Sequence, residues 1–208
     1  MYWLGAGGAI ALAGLCTLGF IPNVRWQRRV YWASWLFGAA LMACAFIEPG
    51  WRMVGVVLAV CLAAAACFAY FRTSYLKIGG RIYSFWIART QPDPLPDGSP
   101  APPVIPPPDS YRGQVTADAQ WWLMAVASVC AGVSALVLGM SGATLGVAAL
   151  PVVLLAGTGF IDSYDGFPIA RRRWVQLALI VVSSIPVFLL PPIAYLIGYY
   201  LDGPRRRS

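Results

Sequence analysis

Six stretches of this sequence, residues 2–21, 30–47, 53–71, 121–140, 143–161 and 174–201, contain no Asp, Glu, Lys or Arg. A helix crosses the hydrocarbon core of a bilayer with roughly 20 apolar residues. Inside lipid every backbone N–H and C=O must be satisfied within the protein, which favours helices for such runs. The pattern therefore predicts an all-α, polytopic transmembrane helical bundle of about six membrane segments. Composition agrees: 59% of the 208 residues are hydrophobic and 11% are charged, against about 25% charged in soluble domains.

What the chain lacks narrows the chemistry. It has no histidine, the commonest general base, zinc ligand and haem ligand. Cys16, Cys44, Cys61, Cys67 and Cys130 all fall in apolar runs without a CxxC spacing and read as small packing residues. No cofactor and no metal site is expected, and no catalytic residue is identified. The net charge of +7 comes almost wholly from arginine, with Lys77 the one lysine. These arginines border the apolar runs instead of forming a separate basic domain. They therefore read as topology and lipid-headgroup contacts, not as a nucleic-acid surface. Arg25, Arg28, Arg29, Arg171, Arg172 and Arg173 are the clearest of them.

The runs divide the chain. Residues 1–72 form an N-terminal three-helix half. Its first run has no preceding positive charge and is followed by Arg25, Arg28 and Arg29, the reverse of a signal peptide. Leu15 before Cys16 occupies the place where a lipoprotein box needs a small residue, so the segment reads as an uncleaved helix. Trp26, Trp32, Trp35 and Trp51 flank the second run as interfacial belts do. Residues 73–89 form a juxtamembrane interfacial segment. After the break at Gly79-Gly80, Arg81, Ser84 and Ala88 share one helical face, which predicts a short amphipathic helix in the interface plane. Residues 90–120 form a flexible linker: nine of the seventeen prolines lie between Pro92 and Pro108, too many for a buried core.

Residues 121–201 form the C-terminal transmembrane half, followed by a basic tail at 202–208. In its first helix Ala125, Ser128, Gly132, Ala135 and Gly139 recur every three or four residues, giving a small-residue face that lets a second helix approach closely. The last run is interrupted by Pro186 and Pro191-Pro192, which remove backbone donors. The favoured expectation is a kinked full crossing. The alternative is a re-entrant hairpin broken at Pro191-Pro192.

With six crossings, eleven basic residues share one side with the linker, while Arg52 and the terminal Arg205, Arg206 and Arg207 occupy the other. The positive-inside rule then places the proline-rich linker in the cytoplasm and the N-terminus outside. The terminal arginines fit this scheme only if the last run turns back.

One polar string bears on chemistry: Asp162-Ser163-Tyr164-Asp165-Gly166-Phe167-Pro168-Ile169-Ala170-Arg171. Over about ten residues it resembles the start of the CDP-alcohol phosphotransferase signature. That resemblance implies acids at a cytoplasmic helix end holding a divalent metal against a pyrophosphate. The chain departs from the signature in having three residues between Asp165-Gly166 and Ala170-Arg171 where the family has two. It also lacks the family's later aspartates, the next acid being Asp202. Ion-coupled transport is disfavoured in turn, because no charged residue lies inside any run. The favoured function is a non-catalytic accessory or scaffold subunit of a larger bacterial inner-membrane complex, with an energy-transducing assembly as its setting. Its expected partners are membrane lipids and other integral membrane subunits. The second reading is a conduit for a neutral solute or lipid, and the remote one a CDP-alcohol phosphotransferase-like enzyme.

Overall fold

The computed structural model describes residues 2–48, 50–95 and 99–201. The chain splits into two compact units, Met1–Ile105 and Pro106–Ser208. Three helices are long and apolar enough to cross a membrane: Trp51–Arg72, Ala117–Leu138 and Gly142–Tyr164. The remaining apolar helices are shorter, or begin with charge, as the arginine-rich start of Val24–Cys44 does.

In the first unit α1 (Tyr2–Thr17) is followed by α2 (Val24–Cys44) and α3 (Trp51–Arg72). Asn23 starts α2, its side chain accepting from the Arg25 amide at 2.9 Å, which satisfies one of the orphan donors of a helix start. Glycine sets the spacing of α1 and α2. A Cβ on Gly38 would meet the Gly7 carbonyl at 2.7 Å, and one on Gly14 would collide with the Ser34 side chain. Tyr31 ties α2 to α3, its buried hydroxyl donating to the Ala65 carbonyl at 2.6 Å.

Residues 73–89 do not form an amphipathic helix. They fold into a small hairpin of β1 (Lys77–Ile78) and β2 (Arg81–Ile82), paired Lys77 to Ile82 and Ile78 to Arg81, with a tight turn at Ile87–Arg89. Gly79 and Gly80, at φ 58° and 85°, supply the two positive dihedrals of the connecting turn. The segment caps α3 instead. Thr73 amide and hydroxyl bond the Ala69 carbonyl, Ser84 and the Phe85 amide bond that of Tyr70, and the Trp86 indole bonds that of Phe71. Helix ends leave four carbonyls without intrahelical partners, so this segment is held where those carbonyls need it.

In the second unit α4 (Ala117–Leu138) starts inside the region expected to be linker. Thr116 caps it, accepting from the Ala119 amide at 3.2 Å, and Asp118 in the first turn suits the positive end of the helix dipole. The preceding residues are also ordered by packing: Tyr111 and Val115 are buried and bridge each other. By contrast residues 100–108 are exposed apart from Ala101. Replacing 100–108 with an equal length of Gly and Ser is expected to leave membrane levels unchanged, whereas the same exchange over 109–115 should reduce them. Immunoblotting of membrane fractions measures both.

Helix α5 (Gly142–Tyr164) returns alongside α4 and is capped by Ser141, whose hydroxyl accepts from the Thr144 amide. The last apolar run then forms two short helices, α6 (Trp174–Ser183) and α7 (Leu190–Leu201). They do not make one kinked crossing. The Ala170 amide donates to the Tyr195 hydroxyl at 2.7 Å, and the Tyr199 hydroxyl donates to the Phe167 carbonyl at 2.9 Å. A continuous helix would separate residues 170 and 195 by roughly 37 Å at 1.5 Å per residue. Helix α6 therefore leaves the 165–173 loop and α7 comes back to it.

The reversal lies at residues 184–189, ahead of Pro191-Pro192. These prolines open α7, where a missing N–H leaves no intrahelical bond unmade. The tip bonds itself: the Ser184 amide donates to Ile180 and Val181 carbonyls, and the Val187 and Leu189 amides donate to the Ser184 carbonyl. Phe188 and Leu189, both at φ 57°, make the turn. Glycine again lets helices touch, since a Cβ on Gly159 would overlap the Tyr195 carbonyl and one on Gly198 that of Ala156. The core of the unit is Trp121, Met124, Ala125, Leu155, Ala170, Ile180 and Tyr195.

Candidate functional site

The densest polar arrangement in the second unit is built on the loop between α5 and α6. Helix α5 ends on Asp162, Ser163 and Tyr164, and Gly166 turns the chain at φ 73°. Ala170, Arg171 and Arg172 then follow one another in the left-handed region, at φ 56°, 45° and 65°. Each such residue costs about 1–2 kcal/mol when it carries a side chain. Runs of strained backbone persist where surrounding contacts over-determine them.

Those contacts converge on Arg171, whose side chain is 1% exposed. Its Nε donates to Asp162 Oδ1 at 2.6 Å. Its Nη1 donates to the Asp109 carbonyl at 2.6 Å and the Ser110 carbonyl at 3.2 Å, and its Nη2 reaches Asp165 Oδ2 at 3.4 Å. The rings of Tyr111 and Phe167 lie 3.7 and 3.8 Å from the guanidinium carbon, a favourable cation–π arrangement. Asp162 is equally enclosed. Its Oδ2 accepts from Tyr195 at 3.1 Å and from Tyr111 at 3.4 Å, and the Trp121 indole donates to the Tyr111 hydroxyl at 3.0 Å. Burial, with the Asp162 charge beside it, pushes the Tyr111 phenol above its ordinary value, so it stays a neutral donor. Both Asp162 oxygens, all three Arg171 nitrogens and the polar atoms of Tyr111, Trp121 and Tyr195 thus have partners, and the whole forms a knot joining the end of α5, the start of α4, α7 and residues 109–111.

In the first unit the basic end has its own fastening. Arg28 binds Asp93 through two parallel bonds of 2.7 Å and donates to the Ser74 carbonyl at 3.0 Å, while Lys77 reaches the same carboxylate at 2.7 Å. The Arg28 hydrogen bonds, with help from Lys77, hold the Asp93 carboxyl well below the ordinary carboxylate range. A carboxyl so depressed stabilises the fold fully above its unfolded value, near pH 4, and loses that contribution as pH falls further. Asp93→Asn should therefore be less stable than the parent at pH 6–8, and the gap should narrow below about pH 4. Thermal unfolding in detergent across pH measures it.

The six arginines identified from the sequence thus fall into two groups. Arg28, Arg171 and Arg173 are tied to carboxylates, Arg173 to Asp109 at 2.7 Å and Asp118 at 2.9 Å. Arg25, Arg29 and Arg172 are exposed, with Arg29 lying 5.1 Å over the Trp26 ring. Of the small-residue face, Ala125, Ser128 and Gly132 are buried and Ala135 is half-buried beside Ala131, Ala148 and Val187. A Cβ on Gly132 would overlap the Ser183 carbonyl, so this face receives the end of α6. Gly139 lies past the end of α4, exposed, and serves a turn at φ 63°. The sequence reading did not identify Asp93, Asp109, Tyr111 or Tyr195, nor the contacts at Gly7, Gly38, Gly159 and Gly198. Gly7, Ala11 and Gly14 do repeat at helical spacing, a signal for the α1 contact that was there to be found.

The acids of the resembled signature have been placed as well. Asp162 is enclosed by Arg171, Tyr111 and Tyr195, and Asp165 contacts the same arginine. Asp202 lies outside the described residues. Among the described residues, no three His, Cys, Asp or Glu side chains come together as a metal-ligand group. No protein-family model matches the chain, and no solved structure matches it.

Proposed function

We propose that this chain is a non-catalytic scaffold or accessory subunit of a larger complex in a bacterial inner membrane. The observation that carries this reading is the use made of its charge. Asp162, the acid a pyrophosphate-handling signature would need free, is bound on both oxygens by Arg171, Tyr195 and Tyr111. Such a knot fixes helices to one another, which suits a packing role. Around it, α4 and α5 keep large apolar residues exposed, including Val126, Leu136, Leu150 and Val153, available to lipid or to neighbouring helices. Affinity purification in mild detergent followed by mass spectrometry tests the proposal. A reproducible set of integral membrane subunits supports it, and recovery of the chain alone overturns it.

The hairpin also supports one membrane orientation. With α7 returning to the side of the 165–173 loop, the count of crossings along the sequence would put Arg205, Arg206 and Arg207 on the side of the other basic residues. Fourteen of the fifteen Lys and Arg then share one side, leaving Arg52 opposite. By the positive-inside rule that side is cytoplasmic, with the proline-rich linker on it and the N-terminus outside. Cysteine introduced at Ser99 is expected to react with an impermeant maleimide only after cells are opened; labelling of intact cells would reverse the orientation.

A conduit for a neutral solute or lipid is the second reading, favoured by one feature. The Ser128 and Ser184 hydroxyls are buried near the hairpin without a partner among the described residues, and broken helices at membrane depth line pathways in transporters. Solute flux or lipid scrambling by the purified protein in liposomes would select it.

A further inference from the structure

We propose that the first unit binds the headgroup phosphate of an anionic phospholipid in the cleft between Arg72 and Arg89. The cleft is about 410 Å³, and Ser74, Thr73, Tyr75 and Gln91 also line it. Its lining holds two arginines and no carboxylate. Both guanidinium groups are exposed, and neither has an ion-pair partner among the described residues. Asp93, the nearby acid in sequence, is engaged by Arg28 and Lys77 and so does not compete. Three of the last four carbonyls of α3, whose partial negative charge would repel an anion, are also bonded within the protein. Those of Ala69, Tyr70 and Phe71 are already taken by Thr73, Ser84, Phe85 and Trp86. Arginine is well suited to such a ligand, because its planar fork matches phosphate oxygens.

The position selects a lipid over a free phosphate. Arg72 is the last residue of a helix long and apolar enough to span a membrane, so the cleft opens at the level of headgroups. Phe68, one turn earlier, and Val60 are exposed along the same helix, giving acyl chains an apolar surface to lie on. Trp86, three residues before Arg89, is exposed with its indole N–H bonded to the Phe71 carbonyl, as suits an aromatic side chain at an interface.

The inference rests on the membrane placement above, and its test separates the two. The purified full-length protein, in detergent, is titrated with dioleoyl-phosphatidylglycerol, dioleoyl-phosphatidylcholine or inorganic phosphate. Bound lipid is counted by native mass spectrometry. Phosphatidylglycerol should be retained and the other two should not. Arg72→Gln/Arg89→Gln should weaken retention about tenfold or more, the scale of one lost charge-assisted hydrogen bond. Arg52→Gln, remote in sequence from the cleft, should leave retention unchanged. Should the double variant fail to fold, Gln91→Glu, which adds a negative charge to the lining, should weaken retention in the same direction. Undiminished retention in these variants overturns the proposal, and so does arginine-dependent binding of inorganic phosphate in place of the lipid. A protein that stays dispersed and monomeric without detergent refutes the membrane placement itself.

Discussion

Replacing Arg171 by Met should destabilise the second unit by about 3–5 kcal/mol, the cost of leaving a buried charge without its partner. Two consequences combine. Asp162 would keep its tyrosine donors but lose its counter-charge in a site with no exposure. The left-handed turn at Ala170, Arg171 and Arg172 would also lose the bonds to the Asp109 and Ser110 carbonyls that hold it to residues 109–111. Lysine is not an adequate replacement: its ammonium has no planar face to lay against Tyr111 and Phe167, nor a fork to serve four acceptors. Arg171→Lys should therefore fall between the parent and Arg171→Met. Removing both charges, as Arg171→Met/Asp162→Leu, should recover the part of the loss that comes from the unpaired charge, but not the part from the Tyr195 and Tyr111 hydroxyls and the Asp109 and Ser110 carbonyls left without these partners. The thermal midpoint in detergent reads all three. Arg171→Met with the parent's stability would mean that the knot does not fasten the helices.

The same knot marks where sequence reasoning stops. Helices α3, α4 and α5 were legible because lipid imposes a length and a polarity on any crossing, and uncharged runs record both. The polar stretch expected as a loop at 162–173 is one only from residue 165, since Asp162, Ser163 and Tyr164 still belong to α5. Its use was not legible, because pairing is a matter of distance in space. Tyr111 is 51 residues from Asp162, in a segment whose prolines read as pure linker. Asp93 was hidden in the same way. A single acid among prolines looks solvated until Arg28, 65 residues earlier, is brought against it.

The last run illustrates a subtler limit. Prolines announced that it is interrupted, and the terminal arginines hinted that it turns back. Neither could fix the position or direction of the break. Direction follows from two tyrosine hydroxyls, at Tyr195 and Tyr199, that find backbone partners at residues 170 and 167. Residues 73–89 failed for a different reason. A face of Arg81, Ser84 and Ala88 is too short a pattern to outweigh what the end of α3 requires, which is donors for its open carbonyls. Two adjacent glycines were a better guide, since both adopt the positive φ of a hairpin turn.

Gly132→Leu should cost about 3 kcal/mol, at the upper end of what overpacking usually produces. The reason is the nature of the neighbour. A Cβ at this position would meet the Ser183 carbonyl and the backbone around it, and backbone at a helix end cannot swing aside as a side chain would. Relief requires α6 to move off α4, which would also disturb the hairpin tip that follows at Ser184. Between helices in lipid, close contact carries association in place of a hydrophobic drive, so separation forfeits the main attraction. Val133→Leu and Val137→Leu are the controls: both positions are exposed, at 53% and 74%, and should shift stability little. Gly139→Leu should behave differently again. A Cβ there meets no atom within 4 Å but the residue sits at φ 63°, so its cost is backbone strain in a turn and should leave the α4–α6 contact intact. A disulfide between cysteines placed at Ala131 in α4 and Val187 in the hairpin tip, two buried members of one cluster, reports whether the tip that follows α6 stays seated on α4. Its formation should be lost with Gly132→Leu and kept with Gly139→Leu and the valine controls. If Gly132→Leu forms the crosslink and melts with those controls, the helices are not held by close approach at this glycine.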